Sequence, residues 1–243
     1  MVLLFILLGL LLLYIGAEIL VHHSSQAAMM LGISKLIVGL TIVAYGTSTP
    51  ELMVNLVASA QNNTDIAIGN IVGSNIFNIL FVLGISAIIT PLAVHKQIIQ
   101  LDVPIMIGIS ILLWLLSIIG TLHFWTGGLF LLGICAYTLF LIFYSKPASS
   151  EELTQKKPEK IHKKRLGIHI VWILSSLGIL TVGSEFLVQG SVQLARILGV
   201  SELLISLTIV AAGTGLPELA TSILAAMRGQ KDIAVGNIIG SNI

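Results

Sequence analysis

The sequence is poor in charged residues. Only 9% of its 243 residues are Asp, Glu, Lys or Arg, whereas a soluble domain carries about 25%. So few charges cannot cover a water-facing surface, and 56% of the residues are hydrophobic, with a mean hydropathy of +1.04. The net charge of +1 gives no indication of a nucleic-acid partner. The composition predicts an integral membrane protein whose main partner is the lipid bilayer.

Cysteine is almost absent as well, because Cys135 is the only one and lies inside an apolar run, which excludes a disulfide framework. The apolar runs repeatedly reach the roughly 20 residues that a helix needs to cross a bilayer core. They lack the alternating polarity of β-barrel strands. We therefore predict an all-α membrane protein with spans at residues 2–21, 36–60, 66–92, 103–119, 125–144, 168–188, 203–227 and 233 onward.

One polar segment, residues 146–166, interrupts the apolar pattern. It contains seven Lys or Arg and three Glu, which is typical of a solvated linker, although such a run can also bind anionic lipid. Because basic segments stay on the cytoplasmic side, we predict a cytoplasmic linker, an N-terminus outside, and a location in the plasma (inner) membrane. The linker separates a first transmembrane repeat, residues 1–145, from a second, residues 167–243.

Two segments of the chain are copies of each other. Gly16–Ile76 aligns without a gap with Gly183–Ile243, at a constant offset of 167 residues. The identities include Gly, Pro, Thr, Asn, Ser and Glu, which indicates duplication. Each copy begins a unit of five predicted spans, an odd number, so the second copy enters the membrane from the opposite side, as in inverted-repeat transporters. Two five-helix halves make ten helices, and we expect the C-terminal part to be missing from this chain.

Glu51 and Glu218 occupy matching positions in the middle of apolar spans. A charge at the bilayer centre costs about 2.5 kcal/mol or more, so such a residue faces a cavity or a partner. A matched pair, each within Gly-Thr-x-x-Pro-Glu, is hard to explain as two isolated structural carboxyl groups. We predict that both line one ion site at the interface of the two copies.

The residues before each Glu predict a broken helix. A proline lacks an N–H donor and clashes with the carbonyl four residues earlier. Broken backbone at membrane depth is tolerated where it lines a cavity, so freed carbonyls become candidate ion ligands. The predicted breaks involve Gly46 with Pro50 and Gly213 with Pro217, and the candidate carbonyls are those of Ala44 and Ala211.

Four-residue spacings predict further oxygen ligands. Thr47 lies one helical turn before the first Glu, and Ser74 lies one turn before Asn78. Ser74 and Asn78 fit an ion site and close helix packing equally well, because Gly69 and Gly73 beside them form a small-xxx-small pattern. Carboxylates, hydroxyls, amides and carbonyls make an all-oxygen site, which suits Ca2+, Mg2+ or Na+. Two ions that share these ligands would compete, and such competition produces exchange.

On these motifs the chain resembles the sodium/calcium exchanger family of the calcium/cation antiporter superfamily, in its prokaryotic type. The paired Gly-Thr-x-x-Pro-Glu and Gly-Ser-Asn-Ile segments look like the two α-repeats of that family. The resemblance implies ten transmembrane helices and no cofactor beyond the transported Ca2+ and Na+. It implies Ca2+ ligands at Glu51, Glu218, Thr47 and Thr214, Na+ sites involving Ala44, Ser48, Ser74, Ala211 and Ser241, and a polar neighbour at Asn78.

One position departs from the family pattern. Gly215 is the counterpart of Ser48, where family members usually carry Ser in both copies. One sodium site is therefore expected to lack a side-chain ligand, which bears on sodium coupling. Five other carboxyl groups are expected outside the site: Glu18 and Glu185 reaching toward water or, alternatively, lining an access path, and Asp65, Asp102 and Asp232 as helix N-caps.

The leading interpretation is a sodium-driven calcium antiporter that works by alternating access, in which the first helices of the two halves shift. A proton-coupled or magnesium exchanger is the nearest alternative, although Thr47 and Thr214 stand where proton-coupled relatives usually carry Asn. A passive cation channel is disfavoured by the inverted repeat and paired broken helices. Enzyme motifs such as His-Glu-x-x-His are absent, so no enzymatic activity is expected, and no obligatory protein partner is evident.

Overall fold

The computed structural model describes residues 2–61, 64–118, 120, 123–144, 163–199 and 211–243, and the regular structure of these residues is helical. The predicted linker at 146–166 lies almost entirely outside them, as does the start of the seventh predicted span, residues 203–210. The all-α architecture expected from the apolar runs is confirmed.

The described part of the first copy forms six helices, α1 to α6. They are α1 (Val2–Leu31), α2 (Lys35–Thr47), α3 (Thr49–Ala60), α4 (Thr64–Phe77, continued through a π-helical turn at Asn78–Leu83 into Gly84–Ile89), α5 (Ile98–Ile118) and α6 (Phe124–Tyr144). In the second copy the described helices are α7 (Lys163–Ile197), α8 (Ala211–Gly213), α9 (Leu216–Met227) and α10 (Lys231–Asn242).

Five of the described helices are long and apolar enough to cross a membrane: α1, α4 over Ala67–Ile89, α5, α6 over Phe124–Phe143, and α7 over Arg165–Ile197. Helices α2 and α3 pass the same test as a pair, with a 45° bend between them. Large apolar side chains on α5 and α6, such as Trp114, Leu132 and Phe143, are 63%, 72% and 78% exposed. An apolar outer surface of this extent is what contact with lipid requires.

Three helices extend well beyond the spans predicted from hydropathy. Helix α1 continues past residue 21 to Leu31, α5 begins at Ile98 rather than at 103, and α7 runs from Lys163 to Ile197 rather than over 168–188. Hydropathy falls at these ends, but backbone hydrogen bonding carries the helix on through polar residues. Asp102 is therefore not an N-cap: it lies within α5, is fully buried, and accepts hydrogen bonds from Tyr137 Oη (2.9 Å) and Gln97 Nε2 (3.4 Å).

The core is organised around α1 and α7, the first helices of the two copies, which pack antiparallel over most of their length. Gly9 lies against Leu187 and Gly190 lies against Ile6, in each case so closely that a Cβ atom would come within 3 Å of the opposing backbone. A second close crossing joins α10 to α2, where a Cβ at Gly236 would lie 2.7 Å from the Leu36 carbonyl oxygen. Glycine at these crossings lets the helices of opposite copies approach closely.

The connection between α9 and α10 and the first turn of α10 are attached to the first copy at three points. Arg228 Nη2 lies 2.8 Å from Glu18 Oε2, and Asp232 Oδ1 lies 2.9 Å from His95 Nε2. Ser25 Oγ donates to Gln230 Oε1 at 3.5 Å. Asp232 therefore does not cap its helix as predicted, because Gln230 holds the N-cap position and Asp232 turns to the first copy.

Candidate functional site

The first half of the site lies at the junction of α2 and α3. The N–H of Ser48 donates to the Ala44 carbonyl at 3.0 Å, and the chain then turns into α3 with Pro50 in the first helical turn. Proline suits this turn because it needs no intrahelical donor there. The bend places Thr47, Ser48 and Glu51 beside the second copy, and Glu51 is only 7% exposed.

The carbonyl of Ala44 is not freed by this bend, contrary to the expectation from sequence. It accepts from the Ser48 N–H, and the Thr47 hydroxyl lies 3.4 Å away. The helix instead bends at Ser48, so the backbone pairing of Ala44 survives. Any role of the Ala44 oxygen toward Na+ would use its second lone pair and stays a prediction.

The second half of the site repeats this arrangement with α8 and α9. Gly215 has φ −84° and ψ 2°, close to the −81° and 7° of Ser48, and Pro217 again lies in the first turn. The Gly213 carbonyl, which faces the missing N–H of proline, accepts a hydrogen bond from Ser184 Oγ on α7. The counterpart of Ser184 in the first copy is Ala17, which has no hydroxyl group to offer. The backbone of Ala211 lies in α8. The role of its carbonyl as an ion ligand stays a prediction.

The two carboxylates are buried and close enough to repel each other electrostatically. Glu218 is fully buried, and its Oε1 accepts a hydrogen bond of 2.9 Å from Ser48 Oγ of the opposite copy. Glu51 has no bond equivalent to that from Ser48, because its counterpart donor position is Gly215, although the Thr214 hydroxyl also faces this carboxylate. Burying like charges together is unfavourable unless a cation compensates them, so the pair calls for a positively charged ligand.

Buried oxygens without a hydrogen-bond partner are concentrated here. In the described part of the chain nine buried side-chain oxygens have none, and six of these belong to predicted site residues. They are Glu51 Oε1 and Oε2, Glu218 Oε2, Asn78 Oδ1, Thr214 Oγ1 and Ser241 Oγ. Because buried polar groups are normally satisfied, this set is the strongest structural sign of a bound hard cation.

The remaining predicted ligands are placed differently. Thr47 Oγ1 is buried and donates to Asn237 Oδ1 at 3.0 Å, which leaves its lone pairs available. Asn78 begins the π-helical turn of α4 and donates to Asn242 Oδ1 at 3.1 Å. Ser74 donates to the Ile71 carbonyl of its own helix at 3.1 Å and is only half-buried. The hydroxyl of Ser74 is thus used within α4, and its role toward Na+ stays a prediction.

Two asparagine pairs were missed as site residues by the sequence reasoning. Asn70 and Asn237 are counterparts, and so are Asn75 and Asn242, because each pair is separated by the repeat offset. Asn242 Nδ2 donates to the Asn75 carbonyl at 3.2 Å, while Asn237 contacts the backbone of Glu218. Their presence in both copies of the aligned segment was the available signal.

Among the described residues, the packing expected for Gly69 and Gly73 is seen only for their counterparts in the second copy. None of the described residues lies within 4 Å of a Cβ built at Gly69 or Gly73, whereas Gly236 and Gly240 press against α2. The matching partner of Gly69 and Gly73 would be residues 203–207, which lie outside the described residues.

Phe77 explains why the second copy carries Gly215. A Cβ at Gly215 would lie 2.8 and 2.9 Å from Cδ1 and Cε1 of the Phe77 ring, so a side chain there requires the ring to move. Phe77 is held by stacking on Phe81, with ring centroids 4.9 Å apart. An aromatic ring therefore occupies the space that a second serine would use beside Glu51.

Comparisons with known proteins identify the family of the chain. A family model described as "Sodium/calcium exchanger protein" matches residues 1–143 and 168–243. The candidate antiporter CaxA of Alkalimonas amylolytica is 41% identical over 241 residues, which cover 98% of this chain and 76% of that protein. Inner membrane protein YrbG of Escherichia coli strain K12 is 37% identical over 240 residues, which cover 97% and 74%.

A solved structure of the sodium-calcium exchanger NCX_Mj superposes with a TM-score of 0.83 at 32% identity, and the match covers 100% of this chain and 79% of that one. The chain thus spans about three quarters of the length of the relatives it matches. The family model covers nearly all of the described residues, and both copies of the repeat lie within the match. The resemblance drawn from the repeated motifs is confirmed: the chain belongs to the sodium/calcium exchanger family.

Proposed function

We propose that the protein is a secondary antiporter that exchanges Ca2+ for Na+ by alternating access. We place it in the plasma (inner) membrane, with the N-terminus outside and the 146–166 linker in the cytoplasm. Membership of the family supports the transporter class. The single observation that carries the proposal is that both copies contribute buried oxygens without a hydrogen-bond partner, six in all among the predicted site residues of the described chain, including those of Glu51 and Glu218.

The chemistry of these oxygens fits the two proposed ions. Ca2+ takes six to eight oxygen ligands, which include carboxylates, amides and carbonyls. Two carboxylates neutralise one Ca2+, and two Na+ ions neutralise them equally well. In the part of the chain that the structure describes, no group of three or more His, Cys, Asp or Glu side chains is arranged to hold a metal ion. Hydroxyl and amide oxygens therefore have to complete the coordination, which favours hard cations over zinc or copper.

The same charges explain why an ion must be carried in each direction. An unloaded site holds two buried, mutually repelling carboxylates, and closing it away from water is costly. A loaded site is neutral, so it can be closed and reopened on the other side. The antiparallel pair α1 and α7, one helix from each copy, is the body that we propose to move, and it reaches the site where Ser184 on α7 donates to the Gly213 carbonyl. Exchange rather than leak follows from these energetics.

The proposal is tested by ion flux in vesicles reconstituted with the full-length protein. Calcium uptake driven by a sodium gradient is measured for the wild type, Glu51→Gln and Glu218→Gln. The matched control is Glu185→Gln, which alters a carboxyl group that pairs with Gln189 on its own helix. We expect sodium-driven uptake in the wild type and the control, and loss of uptake in both site variants.

Two other outcomes would redirect the proposal. Uptake that follows an imposed pH gradient at fixed sodium, or that is replaced by Mg2+ uptake, would indicate a different exchanger on this scaffold. Calcium flux without any counter-ion, at a rate far above that of a carrier, would indicate a channel. Unchanged uptake by Glu51→Gln or Glu218→Gln would refute the site.

A further inference from the structure

Asn70 and Asn237 make the same contact in the two copies. Asn237 Nδ2 donates to the carbonyl of Glu218 at 3.5 Å and to Ser222 Oγ at 2.9 Å. Asn70 Nδ2 donates to the carbonyl of Glu51 at 3.3 Å and to a side chain one helical turn further on, Asn55 Oδ1, at 3.0 Å. The second acceptor differs between the copies, but its position does not. A contact that survives a change of acceptor is set by geometry rather than by incidental packing.

This contact fixes the first turn of each Glu-bearing helix. The Glu carbonyl lies directly after the proline, where the chain has just re-entered a helix, and an amide from the neighbouring helix holds it. In the second copy the neighbouring helix is itself tightly placed, because Gly236, next to Asn237, lies against α2 with no room for a Cβ. The position of the Glu218 carboxylate in the site therefore depends on Asn237.

Asn237 has one connection that Asn70 lacks. Its Oδ1 accepts a hydrogen bond of 3.0 Å from Thr47 Oγ1, which belongs to the opposite copy. The counterpart of this donor, Thr214 Oγ1, is buried and has no hydrogen-bond partner in the part of the chain that the structure describes. Asn237 thus joins the two copies, whereas Asn70 acts within one.

The bond to Thr47 has a chemical consequence for a cation. A hydroxyl group has one proton and two lone pairs. The Thr47 hydroxyl lies 3.0 Å from Asn237 Oδ1 and 3.4 Å from the Ala44 carbonyl, so its one proton goes to the nearer acceptor. The hydroxyl then presents its lone pairs elsewhere, and a cation requires lone pairs. The acceptor end of Asn237 therefore orients one candidate ligand, while its donor end holds the backbone of another.

We propose that Asn237 is a positioning residue for ion binding, which orients the Thr47 hydroxyl and holds the Glu218 turn at the same time, and that Asn70 is its weaker counterpart at Glu51. The proposal rests on the exchange function proposed above, because that function identifies Ca2+ and Na+ as the ions that bind. It assigns no direct ion contact to either asparagine.

The test is a pair of double-mutant cycles in the full-length protein. One cycle combines Asn237→Ala with Thr47→Val, and the matched cycle combines Asn70→Ala with Thr214→Val. Each variant is read by its Ca2+ KM and maximal rate for sodium-driven uptake. Each is also read by the shift in melting temperature on adding CaCl2, NaCl or MgCl2 to purified protein. The melting temperature without added ions reports separately on folding.

We expect Asn237→Ala to raise the Ca2+ KM by about tenfold, the size of one charge-assisted or orienting hydrogen bond, and to change the maximal rate less. Once Thr47 is valine, Asn237→Ala should raise the KM by a clearly smaller factor, since part of its action has already been removed. The factors by which Asn70→Ala and Thr214→Val change the Ca2+ KM should simply multiply in the double variant. If Asn237→Ala does not fold, Asn237→Ser, which can keep one hydrogen bond, replaces it and should show a smaller effect of the same sign.

Independent effects in the Asn237 and Thr47 cycle would overturn the proposal, and so would an unchanged KM with a lowered melting temperature. Failure of the exchange function gives a different pattern, in which wild-type vesicles show no sodium-driven uptake. The cycles are then judged from the melting shifts with whichever of the three salts stabilises the wild type. If none of them does, both proposals are refuted.

Discussion

The two copies of the repeat agree in their carboxylates and differ in what surrounds them. Glu218 receives a hydroxyl from Ser48, and Thr47 is oriented by Asn237. Neither Glu51 oxygen has a partner among the described residues, because its counterpart donor is Gly215. Duplication has thus preserved the charges of the site but not their hydrogen bonds.

This difference teaches that sequence symmetry and chemical symmetry are separate properties of the site. The side chain of Phe77 fills the space beside Gly215, so the loss of the second serine is accommodated by packing rather than left as a void. A cation between the copies meets one carboxylate that accepts a hydrogen bond from Ser48 and one that lacks an equivalent bond. We therefore expect substitutions at matching positions to have unequal effects, and the following predictions run from the largest expected effect to the smallest.

The largest asymmetry should appear in the stability of the ion-free protein. Glu51→Gln removes one of two buried, mutually repelling charges and breaks no side-chain hydrogen bond, so it should stabilise the ion-free protein by about 2–4 kcal/mol, or roughly 5–10 °C in melting temperature. Glu218→Gln should stabilise less, because it weakens the bond from Ser48. Melting curves recorded in chelator measure both. Equal shifts would remove the claimed difference between the carboxylates.

The second prediction restores the missing serine. Gly215→Ser should destabilise the protein by about 1–3 kcal/mol, the usual cost of overpacking, because its Cβ meets the Phe77 ring. Adding Phe77→Ala should relieve the clash and let the new hydroxyl reach Glu51. Thermal melting and the sodium dependence of calcium uptake are measured for both singles and the double. A Gly215→Ser variant that is as stable as the wild type would contradict the role of Phe77.

The third prediction removes the serine that is present. Ser48→Ala deletes the hydrogen bond to Glu218 and a candidate sodium ligand, so sodium affinity should fall by about tenfold. The sodium concentration that half-saturates calcium exchange measures this change. Ser59→Ala, on the exposed surface of α3, is the control and should leave this concentration unaltered. An equal effect of both substitutions would show that the loss is not specific to the site.

The smallest effect should come from the connection between α9 and α10. Arg228→Gln gives the second copy the residue that the first copy carries at Gln61 and removes the ion pair with Glu18. Exposed ion pairs contribute little and are screened by salt, so transport should change by less than about twofold, and only at low ionic strength. A large change that persists in high salt would assign this ion pair a greater role than its exposure suggests.

The sequence is informative about symmetric features and less so about contacts between elements. Apolar runs predict the helical spans, and the constant offset by itself pairs Glu51 with Glu218. The same offset pairs Asn70 with Asn237. Their proposed function, however, depends on which backbone carbonyl each side chain contacts, and helix packing alone determines that contact. Asp102 shows the same limit, because its burial beside Tyr137 depends on how α5 meets α6 rather than on its position in the sequence.

The central claim is that Glu51 and Glu218, from two inverted copies, form one cation site. Calcium titration calorimetry of the purified full-length protein, compared with Glu51→Gln and Glu218→Gln, tests it most directly. Our account predicts that the wild type binds a single central Ca2+ and that either substitution alone weakens this binding by at least about 100-fold. Calcium binding of near wild-type affinity in either single variant would mean that the carboxylates serve separate sites, and would contradict the account.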